Sequence, residues 1–493
     1  MRLFEITKLL ITARLIGDGN VAFHGMDNDS RTIAAGMLYV CVRGYAADGH
    51  QFAGEAVAKG AVAIVTEREL DCAVPQIIVK DSTHAMAIIA SALHGRPSEK
   101  MKVIGVTGTN GKTTTTYLIE QLLTAHNKKT GVIGTIEMRY DNRSYPMQRT
   151  TPLSLELQRC LGAMRDAGTE FCAMEVSSHA LEQGRVIGCH FRTAIFTNLT
   201  QDHLDFHGTM ERYQDAKGLF FSRLGNGISR FPRQRSYAVL NADDEASHKF
   251  AKLTSAEVVT YGIENKADVS ASLMSMNNSG SVFKLNSFKG DVIIHLPLAG
   301  KFNVYNALAA IAAALIEGVE LAVIKQALEQ IDGVPGRVER IDEGQPFAVL
   351  VDYAHTPDGL KNVLEAVHEF AKGKVITVFG CGGDRDRKKR PLMGKIAASY
   401  SDAVLITSDN PRSENAMDIM KDIEIGCKEA GFTNQQYKLV EDRREAIKIA
   451  VEMASPSDVV LIAGKGHETY QLIDGISYPF DDRLVAKEAI RGL

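Results

Sequence analysis

Residues 103–114 read VIGVTGTNGKTT, an apolar run followed by a glycine-rich turn. The run predicts a buried strand. Leu118, Leu122 and Ala125 recur at helical spacing and predict a helix after the turn. A turn of this kind, at the start of a helix, directs backbone N–H groups towards a phosphate. The stretch therefore predicts an α/β fold with a site for a nucleoside triphosphate.

The side chains of this loop fit the same ligand. Lys112 supplies a positive charge for the β and γ phosphates, and the Thr113 hydroxyl can bind Mg²⁺. The spacing departs from the strict G-x-x-x-x-G-K-[ST] pattern, because Val106 stands where that pattern has its first glycine. A purely structural glycine turn is the alternative. We predict that ATP contacts Gly108, Thr109, Asn110, Gly111, Lys112, Thr113 and Thr114.

Two clusters of helix breakers divide the chain, at residues 95–98 and 332–336. The sequence therefore predicts an α/β protein of three domains. Residues 1–98 form a small N-terminal α/β domain, 99–331 a central P-loop ATPase-like domain with a mainly parallel sheet, and 332–493 a C-terminal doubly wound, Rossmann-like domain.

Apolar runs alternate with helical patterns in all three predicted domains. Because ligands bind beyond the carboxyl ends of parallel strands, site residues are expected there. The predicted strands are Met37–Val42, Val62–Val65, Gln76–Val79, Val103–Val106, Phe171–Val176, Thr193–Phe196, Tyr237–Leu240, Phe347–Val351, Val375–Phe379, Ala403–Ile406 and Val459–Ile462. The predicted helices are Phe52–Lys59, Thr83–Leu93, one beginning near Asn303, Pro357–Ala371 and Pro391–Tyr400.

The composition excludes several classes of protein. Of the 493 residues, 45% are hydrophobic and 24% charged, which suits a soluble protein with several cores. The net charge of -4 offers no basic field for nucleic acid, and the basic run 230–235 is predicted to be a solvated loop. Scattered cysteines, no signal-peptide pattern and no apolar run of membrane-spanning length indicate a cytoplasmic protein. We expect a monomer that acts on small molecules.

Four stretches together resemble the motifs of Mur ligases and folylpolyglutamate synthetases: TGTNGKTT at 107–114, MEVSSH at 174–179, DHLDFHG at 202–208 and YQDAK at 213–217. The resemblance extends over the whole chain. It implies three domains and an ATP-dependent amide ligase that uses Mg²⁺.

The resemblance implies that residues of these motifs hold the metal. Glu175 ends a predicted strand, and it is implied to bind the nucleotide's Mg²⁺ with the Thr113 hydroxyl. Lys217 is implied to be carbamylated, which turns its ammonium into an anion that can hold a second Mg²⁺ together with His203. Without the resemblance, Glu175 could equally form a salt bridge, His203 would be a surface or core histidine, and Lys217 would be a surface lysine.

A third domain that closes over ATP as a lid is also implied. Asn303 in NVYNA is implied to face the adenine, with helix N-capping as the alternative. Arg337 in GRVER and Asp352 in DYAHTP are implied to lie near the phosphates and the ribose. Either His355 or a phosphate oxygen could take the proton of the attacking amine, and the sequence does not decide between them.

For a UDP-sugar dipeptide substrate the resemblance points to residues beside turns. Hydroxyl, amide and guanidinium groups suit a diphosphate and a carboxylate, although Ser and Thr at such positions more often cap local backbone. The implied contacts are Ser30, Thr150, Thr151, Ser177, Gln183 and Arg185.

The amino-acid substrate is implied by SDNPR at 408–412, which follows a predicted strand. Within the family, D-N-P-R is typical of members that add meso-diaminopimelate. Arg412 is implied to hold the second carboxylate, which lysine lacks, so that bound lysine would leave the guanidinium desolvated and unpaired. A turn centred on proline is the alternative. The further contacts are implied at Arg390, Asp409, Asn410, Pro411, Gly464 and Glu468.

Together these motifs imply one reaction. ATP first phosphorylates a carboxylate, because oxide is a poor leaving group, and the amine of meso-diaminopimelate then displaces phosphate. Lys112 and the bound metal ions are expected to offset charge on the transferred group. A folylpolyglutamate or lysine-adding ligase is the nearest rival. A P-loop nucleotide switch without ligase chemistry is the rival from another class.

Overall fold

The computed structural model describes residues 1–44, 47–225, 235–277 and 280–493. Two compact units are present: the first contains Met1–Gly105 and Lys128–Thr193, and the second contains Val106–Asn127 and Ala194–Leu493. The units divide the predicted central domain, so the boundaries at 98 and 331 stay a prediction. Apart from Arg235, the predicted basic loop lies outside the described residues.

Helices and strands alternate along the chain. The helices are α1 Leu3–Leu9, α2 Ala53–Ala58, α3 Ser82–Leu93, α4 Pro97–Lys100, α5 Lys112–Ala125, α6 Ser154–Asp166, α7 Ser178–Glu182, α8 Leu204–His207, α9 Met210–Ser222, α10 Ala246–Leu253, α11 Lys301–Ile316, α12 Leu321–Glu329, α13 Pro357–Phe370, α14 Lys389–Ser399, α15 Ala416–Glu429, α16 Arg443–Met453 and α17 Asp482–Arg491, with a 3₁₀ turn at Gly49–Phe52. No helix among the described residues is both long and apolar enough to cross a membrane.

The strands include every segment predicted above, with ends shifted by two residues or fewer. They are β1 Arg14–Ile16, β2 Gly25–Asp27, β3 Met37–Val40, β4 Ala63–Thr66, β5 Gln76–Ile78, β6 Lys102–Thr107, β7 Thr130–Ile133, β8 Glu137–Tyr140, β9 Arg143–Pro146, β10 Phe171–Glu175, β11 Thr193–Phe196, β12 Tyr237–Asn241, β13 Glu257–Gly262, β14 Val269–Asn277, β15 Gly280–Ser287, β16 Gly290–Leu296, β17 Glu339–Ile341, β18 Ala348–Asp352, β19 Val375–Phe379, β20 Ala403–Ile406, β21 Tyr437–Leu439, β22 Val459–Ala463, β23 Tyr470–Ile473 and β24 Ile476–Pro479.

The first unit contains a five-stranded sheet in the order β1-β5-β4-β3-β2, parallel except for β1. Val40, Val65 and Ile77 from its strands pack against Met86 and Ile89 of α3 in one buried core. Further along the chain, β10 pairs with β7 in parallel, and β8 and β9 extend that edge as an antiparallel hairpin. Both regions are α/β, as predicted.

In the second unit, β11 to β16 follow one another in a sheet. β12, β13 and β14 pair in parallel, whereas β14, β15 and β16 form an antiparallel meander that the sequence analysis did not predict. The apolar helix α11 is buried along nearly its whole length. A helix that is hydrophobic on all sides is typical of the interior of a layered α/β fold.

A six-stranded sheet occupies the carboxyl-terminal part of the second unit, in the order β17-β18-β22-β19-β20-β21. Its strands are parallel except for β17. One face packs on α13, α14 and α15, and the other on α16 and α17. The predicted doubly wound sheet is confirmed, and its strand ends carry the residues that the sequence singled out.

Candidate functional site

The phosphate loop lies between β6 and α5, as predicted. Two of its glycines are required by the geometry. A Cβ on Gly108, at φ 150°, would lie 1.8 Å from Thr197 Oγ1, and a Cβ on Gly111, at φ 84°, would lie 2.2 Å from Asn306 Oδ1. Neither position has room for a side chain. The glycines therefore let the loop pack directly against two polar side chains.

Other residues hold the loop in shape through Asn110. Its N–H donates to Asn198 Oδ1 at 2.9 Å, and its carbonyl accepts from Thr197 Oγ1 at 2.6 Å. Its Nδ2 donates to Asp358 Oδ2 at 2.7 Å. Asp358 is positioned by the start of α13, where the Thr356 side chain caps the Gly359 N–H. Sequence reasoning missed Asn198 and Asp358, although each lies just beyond a predicted strand or helix start.

Lys112 is the first residue of α5, and its ammonium lies back over the loop. Its Nζ donates to the carbonyl oxygens of Gly108 and Thr109 at 3.0 and 2.7 Å. A cation at this place, beside the N-terminus of a helix, suits the phosphates of a nucleotide.

Lys217 lies close to the same loop in a buried environment, with only 1% of the residue exposed. Its Nζ lies 4.3 Å from the centre of the Tyr213 ring, and the Tyr213 hydroxyl lies 3.2 Å from Thr109 Oγ1. Burial, and then the charge of Lys112, lower the pKa of Lys217 well below its usual value. The lowered pKa shifts Lys217 towards the neutral amine, which is the form that reacts with carbon dioxide.

His203 is brought to the same cluster. Its ring lies edge-on to Tyr213 at 6.1 Å, and its Nε2 lies 3.3 Å from Asp202 Oδ2. Among the described residues, no group of three or more His, Cys, Asp or Glu side chains is arranged to hold a metal ion. The metal ligands predicted from the sequence differ from such a group. In the second unit they are His203, the Thr113 hydroxyl and a carbamylated Lys217.

The predicted adenine and lid residues also lie in the second unit. Asn303, in the first turn of α11, donates to Ala299 O at 2.9 Å and accepts from Asn306 Nδ2 at 3.2 Å. Arg337 reaches the phosphate loop, where its Nη2 donates to Thr113 Oγ1 at 2.9 Å. Arg337, a predicted lid residue, is thus hydrogen-bonded to Thr113, a predicted metal ligand.

Asp352 and its neighbours shape this part of the predicted lid. The carboxylate of Asp352 accepts from the N–H groups of Val338 and Ala354 at 2.7 Å each. Burial raises the pKa of Asp352 to about 6, against the opposing effect of the Arg337 charge. Arg337 stacks on the Tyr353 ring at 4.5 Å. The Asp352 side chain therefore orders the segment that carries Arg337.

Two buried histidines flank Tyr353. The ring centres of His355 and His467 lie 4.6 and 4.9 Å from that of Tyr353. Burial, followed by the charge of Lys389, lowers the pKa of His355 to about 4. Burial, followed by the charge of Arg337, lowers the pKa of His467 to about 3. Both rings are therefore neutral near pH 7.

These two histidines predict an acid-sensitive fold. Their folded pKa values lie below that of an unfolded histidine, so the unfolded chain binds more protons and stability falls as pH drops from about 6.5 towards about 4 for His355 and about 3 for His467. Each group contributes a slope of up to about 1.4 kcal/mol per pH unit. We expect His467→Gln to remove one such contribution, measured by urea unfolding at several pH values. The exposed His84 provides a matched His84→Gln control, and equal slopes in His467→Gln and the wild type would contradict the expectation.

The predicted amino-acid pocket lies beyond the ends of β20 and β22. Asn410 Nδ2 donates to Glu468 Oε2 at 2.8 Å. The buried Lys465 donates to the same carboxylate oxygen at 2.9 Å and to Asn410 Oδ1 at 3.1 Å. Gly464 faces Asp409, because a Cβ there would lie 2.8 Å from Asp409 Oδ2. The structure therefore brings these predicted residues together, and it adds Lys465.

Asp409 keeps its charge although it is buried. Burial by itself would raise its pKa, but the charges of Lys465 and Arg443 hold the pKa below its usual value. Its Oδ2 has no hydrogen-bond partner among the described residues. Arg443, which sequence reasoning missed, forms a fully buried ion pair with Asp482 and donates to Ala463 O. A free carboxylate oxygen in this pocket suits the ammonium group of an amino acid.

Arg412 directs its guanidinium towards a neighbouring loop, where Nη1 donates to Gly383 O at 2.7 Å. Its backbone is in the left-handed region at φ 55° and pairs with the segment at Leu472. Pro411 precedes it, which is also consistent with the alternative that D-N-P-R is a turn centred on proline. The loop therefore presents Arg412 from a constrained backbone.

Arg390 is fully buried and already paired. Its Nη1 and Nη2 bind Glu414 at 3.0 and 2.7 Å, and Nη1 binds Asp422 at 2.9 Å. Its Nε has no partner among the described residues. Glu414 also accepts from the Asp384 N–H. Arg390 thus ties α14 to the loop after Arg412, and its direct contact with an amino acid stays a prediction.

In the first unit, the predicted substrate residues form one hydrogen-bonded network around the end of β10. Glu175 accepts from the Thr135 N–H at 2.8 Å and from Thr135 Oγ1 at 3.0 Å. Thr150 lies 3.0 Å from the same hydroxyl. Thr151 donates to the Glu175 carbonyl at 2.9 Å and accepts from the Ser177 N–H at 3.0 Å. The structure therefore joins three of the implied contacts to Glu175.

Arg185 and Gln183 complete this network. Arg185 donates to Thr151 O at 2.9 Å and to Gln183 Oε1 at 2.6 and 3.0 Å. The hydroxyl of Ser30 instead donates to Glu55 Oε2 at 3.0 Å. Five of the six implied contacts therefore lie together, and none of the described contacts of Ser30 joins it to them.

Three family models match successive parts of the chain. The model described as Mur ligase family, catalytic domain, matches residues 22–96. Mur ligase middle domain matches residues 106–314, and Mur ligase, glutamate ligase domain, matches residues 336–466.

Curated relatives are similar over nearly the full length. Proteins named UDP-N-acetylmuramoyl-L-alanyl-D-glutamate--2,6-diaminopimelate ligase are 52% identical over 96% of both chains in Geobacillus kaustophilus, and 49% identical over 100% of this chain and 99% of the relative in Halalkalibacterium halodurans. A solved structure of a protein with the same name is 34% identical, with a TM-score of 0.70 and coverage of 100% of this chain and 99% of that one.

More distant structures share the fold. Folylpolyglutamate synthase of Mycobacterium tuberculosis complexed with ADP is 19% identical, with a TM-score of 0.64 and coverage of 78% of this chain and 92% of that chain.

Proposed function

We propose that this chain, which belongs to the Mur ligase family, is an ATP-dependent amide ligase that joins meso-2,6-diaminopimelate to UDP-N-acetylmuramoyl-L-alanyl-D-glutamate for peptidoglycan precursor synthesis. The observation that carries the choice of amino acid is the pocket at the ends of β20 and β22. It combines the Asp409 carboxylate, one oxygen of which has no hydrogen-bond partner in the part of the chain that the structure describes, with the pair Asn410 and Glu468 and the guanidinium of Arg412. The anionic groups complement an ammonium group, and the guanidinium complements a carboxylate.

The proposed reaction has two steps. The γ-carboxylate of D-glutamate attacks the γ-phosphorus of ATP, and the bond to ADP breaks with its electron pair leaving on ADP. The amine of diaminopimelate then attacks the acyl carbon, and phosphate leaves with the electrons of the C–O bond. Lys112 offsets charge on the transferred phosphoryl group. The pKa of His355, lowered to about 4, makes it a weak base, so we assign the amine proton to a phosphate oxygen.

Mg²⁺ fits the residues of the second unit. Thr113 offers a hydroxyl, His203 an imidazole, and Lys217 a buried amine whose low pKa leaves it free to form a carbamate. When bound, Mg²⁺ would draw negative charge from the phosphate oxygens. Glu175 lies in the first unit, and its role as a metal ligand stays a prediction.

Lys217→Ala tests the carbamate. We expect the rate of ligation to fall by roughly 10²-fold, since the proposed carbamate ligand of the Mg²⁺ that would offset phosphate charge is removed. Acetate or propionate at millimolar concentration should restore part of the activity by supplying a carboxylate in the vacated space. Steady-state phosphate release with and without acid measures both effects. The carbamate role of Lys217 would be excluded if acetate or propionate stimulated the wild type equally. It would also be excluded if Lys217→Ala were fully active.

The network around β10 supports a site for the UDP-sugar dipeptide. Thr150, Thr151, Ser177, Gln183 and Arg185 offer hydroxyl, amide and guanidinium groups to a diphosphate or carboxylate. All seven cysteines are free thiols, which is consistent with our proposal of a cytoplasmic enzyme. The domain boundaries at 98 and 331 and a monomeric state belong to the same proposal.

Mass spectrometry of the product tests the function directly. The purified protein is given UDP-N-acetylmuramoyl-L-alanyl-D-glutamate, ATP and MgCl₂ with either meso-diaminopimelate or L-lysine. We expect a tripeptide with diaminopimelate and far less with lysine. Preference for lysine would overturn the choice of amino acid, and phosphate release that does not depend on an amino acid would favour a nucleotide switch.

A further inference from the structure

Lys389 carries a buried positive charge that forms no ion pair among the described residues, although it helps to lower the pKa of Asp202. It is the first residue of α14 and is 9% exposed. Its Nζ donates to the carbonyl oxygen of His355 at 2.9 Å, and no carboxylate of the described residues forms an ion pair with it. A carbonyl dipole does not cancel an ammonium charge, so the desolvation cost is left largely uncompensated. An anionic ligand would remove that cost.

The start of α14 makes this charge still less favourable. Lys388, Lys389 and Arg390 succeed one another at the end of the helix where its dipole is positive. Lys388 is exposed, and Arg390 is neutralised by Glu414 and Asp422. Lys389 is buried, and among the described residues it forms no ion pair; its charge acts only at longer range on Asp202. Fold stability therefore gives little reason for a cation at this position.

The surroundings of His355 indicate where Lys389 lies relative to the phosphate loop and the amino-acid pocket. The charges of both Lys389 and Asp202 act on His355, and His355 in turn acts on Asp409. Asp202 adjoins His203 on the phosphate side of the site. Asp409 belongs to the amino-acid pocket. Lys389, which donates to the His355 carbonyl, therefore lies near both groups, and in the proposed reaction the acyl carbon meets the amine between them.

We propose that Lys389 is a further catalytic residue, whose Nζ donates a hydrogen bond to the acyl oxygen that becomes negative when the amine attacks. This inference rests on the proposed ligase function. The nitrogen lone pair forms the C–N bond, and the C=O π electrons move to the oxygen beside Lys389. The carbonyl then re-forms, phosphate leaves with the C–O electron pair, and the amine proton goes to phosphate. Formation of the acyl phosphate does not require this contact.

Lys389→Met tests the proposal, because it keeps the length of the side chain and removes its charge. We expect kcat for tripeptide formation to fall about 10²-fold, as for the loss of one oxyanion donor. Acyl-phosphate formation is followed as positional isotope exchange in ¹⁸O-labelled ATP, with the UDP-sugar dipeptide and MgCl₂ but no amino acid. This exchange should stay within about threefold of the wild type, since the lost donor acts only after it. The melting temperature should equal or exceed that of the wild type, because a buried unpaired charge is gone.

Two further variants sharpen the test. Lys388→Met, at the exposed neighbouring lysine, should ligate like the wild type, and Lys389→Arg, which keeps the charge, should recover part of kcat. The proposal is overturned if isotope exchange falls together with tripeptide formation, if kcat is unchanged, or if Lys389→Met melts below the wild type. Failure of the wild type itself to form the tripeptide would instead refute the proposed function.

Discussion

Lys112→Ala is expected to lose ligation by about 10³-fold or more while the protein stays folded. The Lys112 ammonium lies over the phosphate loop, bonded to the carbonyls of Gly108 and Thr109, and no other residue of that loop carries a positive charge. Its loss would leave the developing charge on the γ-phosphoryl group without that partner. The charge of Lys112 also helps to keep Lys217 neutral, so the variant should disfavour carbamate formation as well.

The loop itself should survive this change. Asn110 is held by hydrogen bonds with Asn198, Thr197 and Asp358, and these three bonds do not include the Lys112 side chain. Circular dichroism and the melting temperature report folding, and phosphate release reports turnover. Lys252→Ala, on the exposed end of α10, is the matched control. Turnover within about threefold of the wild type in Lys112→Ala would remove the loop from the mechanism.

The fold could be predicted where its signals are local. The strand, glycine turn and helix at 103–125 occur as predicted, and the repeated strands of the carboxyl-terminal sheet each form a continuous apolar run. The meander from Val269 to Leu296 was missed. Its strands alternate buried and exposed side chains only in part, and β14 contains a register shift between Leu273 and Ser275. Pairing with neighbouring strands, which no local pattern encodes, determines that region.

The site could be predicted where chemistry-bearing residues end a strand. Glu175 ends β10 and Asp352 ends β18, as expected for ligand-binding edges of parallel sheets. The supporting contacts could not be predicted, because they join distant positions: Asn110 bonds Asp358, and Arg337 bonds Thr113. Lys389 was hidden for the same reason, since a lysine in a basic run gives no sign of burial.

In the proposed function, discrimination between diaminopimelate and lysine depends on a contact between Arg412 and the distal carboxylate. The structure holds the Arg412 backbone in a left-handed turn and uses Nη1 for Gly383 O, so the rest of the guanidinium is oriented by a fixed loop. Arg390 and Glu414 brace that loop from α14. Such orientation reduces the entropy lost when a carboxylate binds. Lysine in the same pocket would leave the guanidinium desolvated and without its anion.

Arg412→Ala should therefore affect one substrate selectively. Removing a charge-assisted contact of this kind costs roughly 2–5 kcal/mol when the remaining charge is left buried and unpaired. That corresponds to about one and a half to three and a half decades in kcat/KM for diaminopimelate. The apparent constants for ATP and the UDP-sugar dipeptide should change far less, and lysine should compete better in relative terms. Steady-state kinetics with each amino acid measure this, with Arg444→Ala, an exposed arginine of α16, as the control. An unchanged preference for diaminopimelate over lysine in Arg412→Ala would reduce D-N-P-R to a turn and remove the amino-acid assignment, while the ligase assignment would stand.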